Sequence, residues 1–158
     1  MTMFTPERFI KTMEKNLALF NYVLGELSQE EAAQAWDGDW NVIAILCHIR
    51  DFDEIFFERA NLMNDVDNPT LEPRDHEQLA IERDYNNQNL ADVLASFNAG
   101  RKRFIDWFKS LPPERFSRGG FHPESGNISI LEQAAQIVTH DIDHLEQIVR
   151  ALGHNQKQ

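Results

Sequence analysis

A chain of 158 residues fits one domain, residues 1–158, and can bury a core without disulfides, since its single cysteine, Cys47, rules out an internal disulfide framework. The formal net charge of −11 argues against nucleic-acid partners and against anionic membrane surfaces, both of which need clustered Lys and Arg. With no run of about 18 apolar residues and no basic, apolar leader, the expectation is a reduced, cytoplasmic protein.

Four stretches carry helical periodicity. The first runs from about Thr5 to Leu27, with Phe9, Met13, Leu17, Phe20, Leu24 and Leu27 stepping at threes and fours. Thr5 is placed to cap it and Pro6 sits just inside its start. The second runs from about Asn41 to Met63, with Val42, Ile45, Leu46, Ile49, Phe52 and Phe56 on one side and Asp39 or Asn41 as cap. About 25 residues, Asn64 to Gln88, then separate it from the third; so long a link crosses the bundle or carries its own short helix, for which RDHEQLAIERDY is the candidate.

The third stretch spans about Asn89 to Leu111, with Leu90, Leu94, Phe97, Phe104 and Phe108 on its stripe and Pro112 and Pro113 as its stop. Pro112 to Asn127 is a turn-rich loop. The fourth runs from about Ile130 to Leu152, opened by Ser129 and Glu132 as a capping box and closed by Gly153. No strand-like alternation of useful length appears. The reading is all-α, a four-helix bundle. A crossover between helices two and three lets them run parallel, giving up-down-down-up topology.

Three histidines carry the functional signal. His140 and His144 lie four apart, hence one turn apart on one helix face, and two imidazoles so placed can reach one ion. His48, in the second helix, borders the apolar sector as they do. A third imidazole from a facing helix makes an open-sided metal site. For any one of them alone the ordinary role is a core histidine bonded to a carbonyl. The pair is not the HExxH of zinc peptidases, because Asp141 follows the first histidine.

Arg101 falls between Phe97 and Phe104, at a spacing that should be apolar, and a buried guanidinium needs a partner. Either it pairs with Asp53 on the second helix, or it faces the groove and binds a substrate carboxylate. Asp141 or Asp51 is placed to support a ligand histidine, to serve as a fourth ligand, or to cap or face solvent. Cys47 reads as core, and Trp36, Trp40 and Phe121 as lining for the opening or plain packing. His122 reads as a loop-fixing residue; His76 and His154 read as exposed.

Trp40 at the helix start, His48 eight residues on, Asp51 and Asp53, Arg101, His122-Pro123, Gly126 and the closing HDIDHLEQI together resemble the DinB/YfiT-like superfamily over nearly the whole chain. Asn41 departs from the Ser or Thr common there. The resemblance implies a bundle holding a divalent ion, often zinc or nickel, on His48, His140 and His144, and commonly a homodimer. It also implies a small-molecule substrate, with either transfer of a low-molecular-weight thiol such as bacillithiol or mycothiol, or metal-dependent hydrolysis. Arg101, in its groove-facing reading, and Asp141, as support for a ligand histidine, are the candidate catalytic residues, and the preferred expectation is a metal-dependent thiol transferase. A bundle that binds metal or a small molecule without turnover is the rival.

Overall fold

The periodic stretches fold as helices whose starts are set by local chemistry, in a computed structural model that describes residues 3–155. Helix α1 (Pro6–Leu24) begins where the Thr5 hydroxyl accepts the Arg8 amide, with Pro6 in the first turn, where a missing N–H leaves no bond unmade. It ends at Leu24, three residues short of the predicted limit of Leu27, with Gly25 as its C-cap. A short helix, α2 (Gln29–Gln34), follows on a Ser28–Glu31 capping box, too brief for periodicity to reveal. Strands β1 (Trp36–Asp37) and β2 (Trp40–Asn41) form a hairpin around Gly38, whose φ of 60° is the left-handed value the first loop position of such a turn requires.

Helix α3 (Val42–Asp65) starts at Asn41, whose side chain accepts the Ala44 amide at 2.9 Å. The crossover contains α4 (His76–Glu82), inside the predicted helical stretch, and a 3-10 turn at Tyr85–Asn87. Helix α5 (Leu90–Ser110) is capped by Asn89. The loop predicted from Pro112 to Asn127 holds a 3-10 turn and a second hairpin, β3 (Gly119–His122) with β4 (Gly126–Ser129), also too short to show alternation. Helix α6 (Ile130–Asn155) opens on the Ser129–Glu132 box but runs through Gly153, which keeps helical backbone rather than ending the helix.

Cross-helix contacts fix the topology. Glu14 meets Lys109 and Asn21 meets Asn98, so α1 and α5 are antiparallel. Asp53 meets Arg101 and Phe57 meets Phe104 and Trp107, so α3 and α5 are parallel. His48 meets His144 and Phe56 meets His140, so α3 and α6 are antiparallel. The bundle is therefore up-down-down-up, with α1 and α3 on a diagonal and the α3–α5 link as its long crossover. Met13, Phe20, Phe97, Phe104 and Phe108 pack its centre, each contributing roughly 1.5–3 kcal/mol by burial.

Asp51 ties the crossover down. It accepts hydrogen bonds from Tyr85 Oη at 2.5 Å, Arg83 Nη1 at 2.7 Å and Arg50 Nε at 2.8 Å, so it is occupied with structure rather than with a histidine. The crossover also pairs with β3, where Phe121 N donates to Pro69 O and Leu71 N to Phe121 O, each at 2.8 Å. Gly120 makes that approach possible, because a Cβ there would lie 2.8 Å from Pro69 O. Among the described residues no helix is long and apolar enough to cross a membrane.

Candidate functional site

His48 projects from α3 and His140 and His144 from α6 to one point at the floor of a cavity of about 620 Å³. His48 Nε2 lies 2.9 Å from His140 Nε2, and the ring centroids are 4.4–4.9 Å apart throughout the trio. Each ring offers one nitrogen, all within 4.8 Å of one another, as a group able to hold a metal ion. Two nitrogens each about 2.0–2.1 Å from one ion, at roughly tetrahedral or right angles, lie about 2.8–3.4 Å from each other. The observed 2.9 Å fits that requirement.

The protonation state fits as well. Burial pushes His48 down to about 2, with the neighbouring His144, His140 and His76 adding to the effect. Burial likewise takes His140 down to about 3, helped by His144 and Arg101, and lowers His144. All three are therefore neutral near pH 7, the form that presents a lone pair.

A hydrogen-bond chain selects the His144 tautomer. The Asp37 carboxylate only accepts, so the Gln147 amide nitrogen faces it at 2.9 Å and the amide oxygen faces His144 Nδ1 at 2.8 Å. Nδ1 must then carry the proton, leaving the Nε2 lone pair free. Asp37 is itself held by Arg150 Nη1 at 2.6 Å. The carboxylate support expected from Asp141 or Asp51 is thus supplied by Gln147, one helical turn beyond His144, a position open to reading from the i,i+3 spacing alone. His48 Nδ1 is buried and has no hydrogen-bond partner among the described residues.

Arg101 and Asp141, the candidate catalytic residues, are placed elsewhere: both are 0 % exposed and neither lines the cavity. Arg101 donates Nε and Nη2 to the Asp53 carboxylate at 2.6 and 2.7 Å, and Nη1 and Nη2 to the Asp141 carboxylate at 2.8 and 2.7 Å. Asn16 Nδ2 adds a bond to Asp141 at 3.0 Å. Asp141 follows His140 by about 100° around the helix. That turn is enough to send it into the α1–α5 interior while the histidine faces the cavity. Of the two sequence readings of Arg101, its partners match the pairing with Asp53; the groove-facing one needs an exposure it lacks. Burial, opposed by the Arg101 guanidinium and reinforced by the neighbouring Asp141 charge, holds the Asp53 carboxyl above the ordinary carboxylate range.

Trp40 lines the cavity, its ring 5.1 Å from that of His48, whereas Trp36 and Phe121 are exposed outside it. Phe52 lies against His48 at 4.6 Å and Phe56 against His140 at 5.4 Å, giving the floor apolar walls. Cys47 is buried, and burial pushes its thiol up to about 12, so it is no nucleophile at neutral pH. His122 does fix its loop, Nδ1 accepting the Glu124 and Ser125 amides at 3.2 and 3.3 Å, and it also lines the cavity. His76 was missed as a site residue: exposed at the start of α4, it lies 5.9 Å from the His48 ring. No periodicity ties it to the triad, because the crossover brings it there. The side chain of His154 lies outside the described residues.

A four-helix bundle with three convergent, neutral imidazoles beneath an open cavity is a recognisable class of protein. The sequence pattern of the DinB superfamily matches residues 12–148, and the chain belongs to that superfamily. Two relatives from Oceanobacillus iheyensis, each named "Putative metal-dependent hydrolase", are 24 % identical over 148 residues and 28 % over 141. The first alignment covers 93 % of this chain and 85 % of the relative; the second covers 89 % and 81 %. The solved structure of YfiT from Bacillus subtilis, described as a probable metal-dependent hydrolase with an unusual four-helix bundle topology, superposes with a TM-score of 0.87 at 18 % identity. It covers 99 % of this chain and 90 % of that one. A mutant of a mycothiol-dependent maleylpyruvate isomerase superposes with a TM-score of 0.78 at 8 % identity, covering 94 % of this chain and 63 % of the other.

Proposed function

We propose that the protein is a metal-dependent enzyme in which His48, His140 and His144 hold a divalent ion, zinc or nickel, and a low-molecular-weight thiol is transferred to a small electrophile. The observation that carries this reading is the convergence of three neutral imidazoles, 2.9 Å apart at the closest nitrogens, at the base of a 620 Å³ cavity. Bound there, such an ion supplies Lewis acidity and favours the deprotonated form of a thiol or water that reaches it. Imidazole suits both metals.

The chain's own residues have separable tasks. Gln147 fixes the ring and tautomer of His144. The Arg101–Asp53–Asp141 cluster braces α3, α5 and α6 from behind, Asp141 holding the backbone next to His140 in register. Trp40, Phe52 and Phe56 keep water from two sides of the triad. His76, exposed at the cavity and facing the His48 ring, is placed to take or give a proton. No Asp or Glu joins the triad group among the described residues, the cavity's Asp37, Asp39, Glu77 and Glu124 standing on its walls; this favours a thiol, which ionises more readily than water, as the group brought to the triad. Hydrolysis is the second reading, favoured by the names of the relatives.

The test is metal analysis followed by turnover. Purified protein should carry about one zinc or nickel per chain, and His144→Ala should lose it. The loaded protein should consume an electrophilic acceptor only when a thiol is present, with no activity in His48→Ala. Ester or amide cleavage without thiol would move the assignment to hydrolysis, and absence of a stoichiometric ion would end both readings.

A further inference from the structure

Eleven residues beyond His48 on the same helix stands Arg59, and its surroundings do not account for it. It is only 9 % exposed, yet its guanidinium forms no ion pair among the described residues. Its one hydrogen bond runs from Nη2 to the Glu72 carbonyl oxygen at 2.7 Å, and its Nε is buried with no partner. The one carboxylate whose charge reaches it, that of Glu124 on the cavity wall, makes no ion-pair contact with it among the described residues, and removing a guanidinium from water is costly unless an anion pairs with it directly. The other deeply buried arginine, Arg101, has two carboxylates.

Arg59 lines the triad cavity, as does Arg74, an exposed arginine that likewise forms no ion pair among the described residues. Arg74 is close enough that its charge, after burial, lowers the pKa of Arg59, with the Glu124 carboxylate acting in the opposite direction. His122, on the same wall, feels the Arg59 charge in turn. The two arginines also border a smaller hollow of about 200 Å³, so they form a partition with the larger cavity on one side. Between them and the triad, Phe52 and Phe56 continue the face of α3 that carries His48, giving an apolar strip with a cation at its far end. Arg59 lies roughly 16 Å of helical rise beyond His48. Its side chain leans back toward the helix N-terminus and shortens that gap.

We infer that Arg59 and Arg74 form an oxyanion-binding subsite of the triad cavity, selecting substrates that carry a carboxylate or phosphate ester across an apolar spacer from the reacting group. The inference deepens the proposed function by naming its substrate class, and rests on that reading only for the identity of the cavity as the reaction site. The anion anchor moves from Arg101, which is already neutralised, to the arginine pair that is not.

Titration calorimetry of chelator-treated protein with hexanoate, hexyl phosphate and hexanol as probes tests it. Hexanoate or hexyl phosphate should bind with hexanol silent, and the tighter of the two identifies the anion. Butyrate should bind more weakly than hexanoate, because the longer chain covers Phe52 and Phe56. Arg59→Met, which keeps the volume and removes an unmatched charge, should retain its melting temperature and weaken the anion by about 10- to 100-fold, the range for a charge-assisted hydrogen bond. Arg74→Gln, at an exposed position, should weaken it by about two- to fivefold. Equal affinity of hexanoate for wild type and Arg59→Met, or hexanol binding as well as hexanoate, overturns the subsite. Anion binding persisting in a protein that takes up no ion refutes the metal reading alone; a stoichiometric ion with no anion binding refutes this inference alone.

Discussion

Replacing Arg101 by Met removes four charge-assisted hydrogen bonds of 2.6–2.8 Å and leaves Asp53 and Asp141, 4 % and 0 % exposed, facing each other without a cation. Breaking a buried pair by deleting one partner costs about 3–5 kcal/mol, and the presence of two stranded carboxylates puts the expectation in the upper half of that range. For a chain of this size each kcal/mol is worth about 2–4 °C, so the melting temperature should fall by roughly 8–20 °C. Urea denaturation gives the same quantity as a free energy. The loss should depend on pH. Without Arg101 the Asp53 carboxyl, already raised by burial, rises further in the folded state; a raised folded pKa contributes stability at low pH that disappears as pH climbs through it. The deficit against wild type should therefore be smaller at pH 5.5 than at pH 8. Neutralising the site fully, with Asp53→Asn and Asp141→Asn added, should recover most of the stability. A deficit for Arg101→Met below about 1 kcal/mol, the level of an exposed pair, would refute the account of this cluster as a buried brace.

Other outcomes follow from particular contacts. Gln147→Leu breaks the chain from Asp37 to His144 Nδ1 and should weaken metal binding by about 10- to 100-fold in a chelator competition, with little change in melting temperature of the metal-free protein. Gly120→Ala forces a Cβ to 2.8 Å from Pro69 O and should cost about 1–3 kcal/mol by urea titration; no loss would mean that the β3–crossover contact yields freely. In metal-free protein the depressed His48 and His140, at about 2 and 3 against an ordinary 6.5, bind fewer protons folded than unfolded. Stability should hold above pH 6.5 and decline steadily below it, and a His48→Phe variant should show a shallower decline. Identical pH dependence in the two would contradict the buried, neutral state of that ring.

The bundle was legible because its cause is local and repeated. Apolar steps of three and four, Thr5, Asn41 and the Ser129–Glu132 pair as caps, and prolines after Leu111 act over a few residues each, so the four long helices could be located from sequence within a few positions. Gly153 misled for the same reason: a local stop signal was overridden by helix that continues through it. The pairing of His140 with His144 was equally legible, since one turn of helix fixes it.

Direction across helices was another matter. Whether Asp141 faced the histidines or the interior hung on about 100° of rotation, and the guanidinium of Arg101 settles it by gathering Asp53 and Asp141 on the far side from the cavity. His76 and Asp37 reach the cavity wall only through a crossover and a hairpin, neither of which leaves a periodic trace; Arg59 shares the His48 face of α3 by spacing, but only the folded structure shows it without an ion pair. Sequence by itself determined which segments coil and which side chains share a face. Tertiary packing decided which charges were neutralised inside and which were left turned toward the open space, because a buried charge finds its partner through space and not along the chain.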